Sequence, residues 1–218
     1  MGLRMIICAL AACCFCAALF AWPKEYGAFT LQTKATRDWY LASSLSQIDP
    51  SLSVEGQYTQ LQTCDRVMAD LLASLMPQAQ REAVAQRCLD LAEATLKTAP
   101  SLSLAHLVRA QALLRFGQSI DGADALVASE KLGGKLTWMA ARRIDMFLTA
   151  YENLSLEQRQ SFGRDVARLL ASTPADARLL AERYNRAGEA REFIVGTIES
   201  LPMAQQKLFI RALRQVGS

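Results

Sequence analysis

The chain has 218 residues, 51% of them apolar, a formal net charge of +3 and a single histidine. That apolar fraction at so small a net charge excludes intrinsic disorder, and the length allows one or two compact units. A thinly spread charge of +3 is no nucleic-acid footprint, and a lone histidine without an acidic cluster leaves no histidine-based metal site. Alanine (35) and leucine (32) dominate the composition, against 11 glycines and 6 prolines. Both are strong helix formers, so the fold class expected is all-α.

Residues 1–4 form a short positive start, read as a cytoplasmic tip. Met5 to Trp22 contains no charged residue. As a helix these 18 residues rise about 27 Å, just enough for a hydrocarbon core of about 30 Å. Trp22-Pro23-Lys24 reads as the boundary, with an aromatic anchor, a helix stop and a snorkelling cation. The leading reading of 5–22 is a retained transmembrane signal anchor. A cleaved signal peptide is a second reading, although Leu19 is large for the usual cleavage rule. A lipoprotein signal is a third, because Leu10-Ala11-Ala12-Cys13 resembles a lipobox and makes Cys13 a weak lipidation candidate. Arg4 favours an inside start, while Lys24, Lys34 and Arg37 compete on the other side.

Residues 23–53 read as a juxtamembrane segment with a short helix near 36 to 48. From 54 to 218 the 3.6-residue period recurs, punctuated by prolines and glycines, and reads as one helical domain. The first stripe is Tyr58, Leu61, Cys64, Met68, Leu71, Leu72 and Leu75 over 57–76. Val84, Cys88, Leu91, Ala92 and Thr95 follow over 79–98. Leu104, Leu107, Ala110 and Leu114 line a helix ending at Gly117, which suits a left-handed cap. A weaker helix over 122–132 stops at Gly133-Gly134. Trp138, Ala141, Ile144, Leu148 and Tyr151 form the next stripe. Ser155 and Gln158 match a capping box opening a helix with Phe162, Val166, Leu169 and Leu170. Leu180, Tyr184 and Ala187 precede Gly188, and stripes from Phe193 to Leu201 and from Leu208 to Val216 close the chain. About ten helices with short connections make antiparallel neighbours, as in a bundle or a solenoid.

Leu180-Ala181, Tyr184 and Gly188, together with Ala110, Leu113 and Gly117, give this succession a degenerate resemblance to tetratricopeptide repeats over roughly 79–201. Pro100 and Pro174 each precede such a pair and lie 74 residues apart, a little over two repeats of about 34. The match departs from the family where Gly122 or Phe193 replaces a small alanine and where the first-helix tryptophan is missing. The resemblance implies an α-solenoid of antiparallel helix pairs whose curved surface binds peptides or proteins.

Beyond the apolar run only Cys64 and Cys88 remain, on inward faces of helices joined near Pro77. A turn there pairs position 64 with about 90, so a disulfide is geometrically plausible, and disulfides persist outside the cytoplasm. Arg142 and Arg143 read as lying on the polar side of the Trp138 helix and, with Tyr184, are candidate partner contacts. His106 stands alone beside Leu107 and reads as structural. Gly133-Gly134-Lys135 is only superficially phosphate-like, and no nucleotide-binding or common hydrolytic motif occurs.

The function expected is a membrane-anchored helical-repeat scaffold or adaptor in a cell-envelope assembly of the secretion, polysaccharide-export or cytochrome-assembly type. It would be single-pass in a bacterial-type inner membrane with a periplasmic body, and not an enzyme. Its partners would be proteins at the membrane and, through residues 5–22, the lipid bilayer. No nucleic acid, cofactor, metal or small-molecule substrate is expected. The alternatives are a helical glycan hydrolase of the envelope and a small accessory subunit of a membrane complex.

Overall fold

The computed structural model describes residues 2–41 and 48–217. Among the described residues every helix or strand element is a helix. The chain divides into two compact units, Met1–Thr95 and Leu96–Ser218.

In the first unit α1 (Gly2–Thr33) runs straight through Pro23. This corrects the expected stop after Trp22. Proline inside a helix removes one hydrogen bond and costs about 3 kcal/mol. The ten residues beyond it recover contacts against α3 (Val54–Ala69). Ala28 is fully buried, Glu25 bonds the α3 N-cap, and Arg66 donates to the Gln32 carbonyl at 2.9 Å. Residues 5–20, by contrast, are exposed throughout, and packing begins only at Ala21. One helix therefore has a free apolar half and a docked half, and it is long and apolar enough to cross a membrane.

The helix expected near 36–48 is α2 (Thr36–Leu41), with 42–47 outside the described residues. Two glutamines of α3 hold the preceding segment: Gln57 donates to the Ser51 carbonyl at 2.9 Å, and Gln60 accepts from the Ser51 amide at 2.9 Å. The long helix expected over 57–76 breaks at Asp70, which has an extended backbone. Its carboxylate accepts from the Leu72 amide at 3.0 Å and the Thr36 hydroxyl at 2.6 Å, starting a separate turn, α4 (Leu71–Leu75). Leu71, Leu72 and Leu75 thus leave the stripe and are exposed. Then α5 (Gln78–Thr98) returns, and Cys64 and Cys88 form a disulfide with Cα atoms 5.7 Å apart.

The second unit holds α6 (Ser103–Arg115), α7 (Ser119–Gly133), α8 (Thr137–Ala150), a 3-10 turn at Tyr151–Asn153, α9 (Leu156–Ala171), α10 (Pro174–Asn185), α11 (Ala190–Glu199) and α12 (Met203–Val216). Gly117 and Gly188 end α6 and α10 at positive φ, 73° and 52°, where a side chain would be strained. Ser155 and Gln158 form the capping box at the start of α9. Consecutive helices pack as α6 on α7 and α8 on α9, but α10 rests mainly on α12 and α11 on α9. Simple pairing by neighbours stops there. Phe162 stacks between Phe147 and Phe193 with ring centres 5.4 Å from each, which ties α8, α9 and α11 together.

Candidate functional site

The side chains with the most chemistry gather where α7 ends, α8 begins and α9 crosses them. A groove of about 730 Å³ is lined by residues 130–136 and by Arg164 and Arg168. Two glycines shape it through close approach. A Cβ on Gly133 would strike the Ser103 hydroxyl of α6, and one on Gly134 would lie 3.1 Å from the Arg168 guanidinium. Gly133-Gly134 is thus a packing device, and Lys135 follows it exposed at the rim, with no ion pair or hydrogen bond among the described residues.

Beneath the groove lies a buried ionic network. Arg143 of α8 and Asp165 of α9 are wholly inaccessible and bind bidentately, Nε to Oδ2 and Nη2 to Oδ1, both at 2.7 Å. Arg143 also reaches the Ser129 hydroxyl at 3.3 Å, and Arg168 adds a second cation to Asp165 at 2.9 Å. Glu130 takes Arg164 at 2.6 Å and lies 3.8 Å from Arg168. Burial pushes the Asp165 carboxyl above its ordinary value against the pull of Arg143. Burial pushes Glu130 up too, but hydrogen bonds and charge from Arg164, backed by Arg168 and Arg143, hold it below its ordinary value. Both carboxylates are therefore engaged from within. Lys131 pairs with exposed Glu157 at 2.9 Å, which leaves the Lys135 ammonium and the outer edges of Arg164 and Arg168 facing solvent. The open valence of the groove is cationic, fitted to carboxylates or phosphates.

The sequence candidates fall in several places. Arg143 is corrected: it cannot touch a partner, because its side chain has no exposure. The buried face of α8 keeps Ala141 and Ile144 of the stripe read from Trp138 and widens to Met139, Arg143 and Phe147, while Trp138 itself is 39% exposed. Arg142 is half-buried beside that face. Tyr184 is also half-buried, its ring edge-on to Phe209 at 5.5 Å with the Arg191 guanidinium 5.8 Å from its centre. The structure does not bring Arg142 and Tyr184 into one cavity with the groove. Cys13 is exposed on the free half of α1. His106 contacts the Pro100 carbonyl through Nε2 at 2.9 Å, pinning the turn before α6. Glu152 and Glu189 share a cavity of about 370 Å³ with Arg186, and both are exposed, so they lack the desolvation that a glycosidase acid uses.

Sequence reasoning missed Glu130, Arg164, Asp165 and Arg168. A signal existed, because Met139-Arg143-Phe147 and Ser161-Asp165-Leu169 each place a charge every fourth residue between buried neighbours. One such charge on each of two adjacent helices is the mark of a buried pair. Also missed was Arg87 of α5, part-buried, with a buried Nη1 lacking a hydrogen-bond partner and burial lowering its pKa. No protein-family model, curated protein or solved structure matches this chain.

Proposed function

We propose that the chain is a single-pass, membrane-anchored helical scaffold whose body binds an acidic segment of a protein partner outside the cytoplasm. The observation that carries this reading is the division of α1. Residues 5–20 are exposed throughout, while 21–33 are fastened to the first unit by Glu25, Ala28 and the Gln32 carbonyl. Burying that apolar half in lipid removes a large unfavourable exposure. The Cys64–Cys88 disulfide fits an oxidising compartment. The groove at Lys135, Arg164 and Arg168 offers cations to a partner, and tethering would raise the local concentration of body and partner.

The test is site-specific photocrosslinking from position 132, an exposed leucine lining the same groove, in the full chain in native membranes. A discrete adduct that fades in Lys135→Glu and at raised salt supports the reading. Adducts that are absent, or unchanged by the charge reversal, overturn the proposed contact.

A further inference from the structure

In the first unit α1 and α3 run side by side in the same direction. Glu25 accepts from the Ser53 amide at 2.7 Å and the Ser53 hydroxyl at 2.6 Å, while further along the pair Arg66 reaches Gln32. The start of α3 therefore lies level with Glu25, and its end lies farther from the apolar half of α1.

The apolar run of α1 ends at Trp22, and three residues at 1.5 Å each put Glu25 about 4.5 Å beyond it. The headgroup layer on each side of a bilayer is about 5–7 Å deep. The segment carrying Leu52, Ser53 and Val54 consequently falls within that layer. Its chemistry suits the place. Leu52 is 57% exposed and Val54 65% exposed. Leu52 precedes the α3 N-cap, where an apolar side chain usually staples to the fourth helical residue. That residue is Gln57, whose amide donates to the Ser51 carbonyl instead, so Leu52 has no staple. Val54 opens the helix, and side chains in a helix lean toward its N-terminus, here toward the bilayer. On α1 the rings of Trp22 and Tyr26 stack at 5.8 Å, both exposed, at the depth where amphipathic aromatics settle. The height of the segment is fixed, because Ser53 is tied to Glu25, Ser51 is tied to α3, and a Cβ on Gly56 would strike the Ser51 hydroxyl.

We propose that Leu52 and Val54, with Trp22 and Tyr26, form a second membrane contact: the N-terminal end of α3 rests in the headgroup layer and stands α3 upright on the bilayer. α3 has 16 residues, so at about 1.5 Å per residue its far end stands about 24 Å higher in water, and Leu75 follows in α4, which packs on α2 beyond the far end of α1. This inference rests on α1 spanning the bilayer, and the test separates the two.

Full chains carrying one environment-sensitive fluorophore at position 13, 52, 54 or 75 are reconstituted into phosphatidylcholine vesicles, with the other α1 cysteines replaced by alanine. The vesicles carry spin-label quenchers either in the headgroup or deep in the acyl chains. The expected result is deep quenching at 13, headgroup quenching with blue-shifted emission at 52 and 54, and neither at 75. Probes at 52 and 54 as aqueous as the probe at 75, with 13 still deep, overturn this inference alone. A probe at 13 that no lipid quencher reaches overturns the anchor as well.

Discussion

Removing one partner of the buried Arg143–Asp165 pair should cost far more than removing both. Each side chain has zero exposure, and the two share two hydrogen bonds of 2.7 Å. Breaking a buried pair costs about 3–5 kcal/mol, whereas an apolar replacement of both is often near neutral. Arg143→Met leaves Asp165 with Arg168 at 2.9 Å, which places this variant near 3 kcal/mol, the lower end of that range. Asp165→Leu leaves a buried guanidinium with the Ser129 hydroxyl and carbonyl in reach and the Glu130 charge nearby but no carboxylate hydrogen-bonded to it, which places that variant toward about 5 kcal/mol, the upper end of the range. The double variant should lose less than either single one. The two singles also differ with pH. In Arg143→Met the folded pKa of Asp165, already above its ordinary value in the parent, rises further, so the added penalty is full above the folded pKa and fades as pH falls through it. An arginine cannot shed its proton, so the deficit of Asp165→Leu should persist to pH 4. Urea midpoints of the full chain in detergent, with hydrogen exchange of the α8 and α9 amides as the local readout, measure both effects. A double variant as damaged as the two singles combined, or an Arg143→Met deficit that does not narrow between pH 7 and pH 4, would refute the reasoning.

Replacing Cys64 and Cys88 together by serine opens a loop of sequence separation 24 and should cost about 3.5 kcal/mol by chain entropy, read as a urea-midpoint shift that reductant reproduces in the parent protein. Gly133→Ala sets a Cβ against the Ser103 hydroxyl and should destabilise by about 1–3 kcal/mol, seen as faster exchange in α6 and α7. Glu130→Gln removes a carboxylate held below its ordinary pKa, whose contribution is present above about pH 4.3 and lost as pH falls through the depressed value. That variant should therefore trail the parent at pH 7 in thermal melts, by a margin that narrows as pH falls below about 4.3.

Local rules exposed most of the helical skeleton. Ser155 with Gln158, and Gly117 before α7, announce their roles because capping depends on neighbours within a few residues. The disulfide was legible for a similar reason, since a hairpin turn near Pro77 brings Cys64 and Cys88 to matching heights. Features that depend on distant partners were harder to read. Pro23 signals a stop, yet α1 continues because α3, more than twenty residues away, docks its second half. Asp70 reads as a helix residue, but its carboxylate caps the Leu72 amide and is held in place by Thr36 across 34 positions. Arg143 reads as exposed from a stripe begun at Trp138, but the buried face of α8 is wide enough to take Met139, Arg143 and Phe147 beside Ala141 and Ile144. The groove was hidden for the same reason: its depth comes from α7 and α9 crossing, and its charge from which carboxylates the interior has already engaged.

Alkaline extraction of membranes bearing the full chain puts the anchor to the most direct test, alongside Leu10→Arg/Phe15→Arg. Each arginine at mid-helix opposes insertion by about 2.5–3.5 kcal/mol. The account predicts that the parent chain stays in the membrane pellet with residues 5–22 intact and that the double variant is released. A parent chain that appears in the soluble fraction, or that is shortened past residue 22, would contradict it.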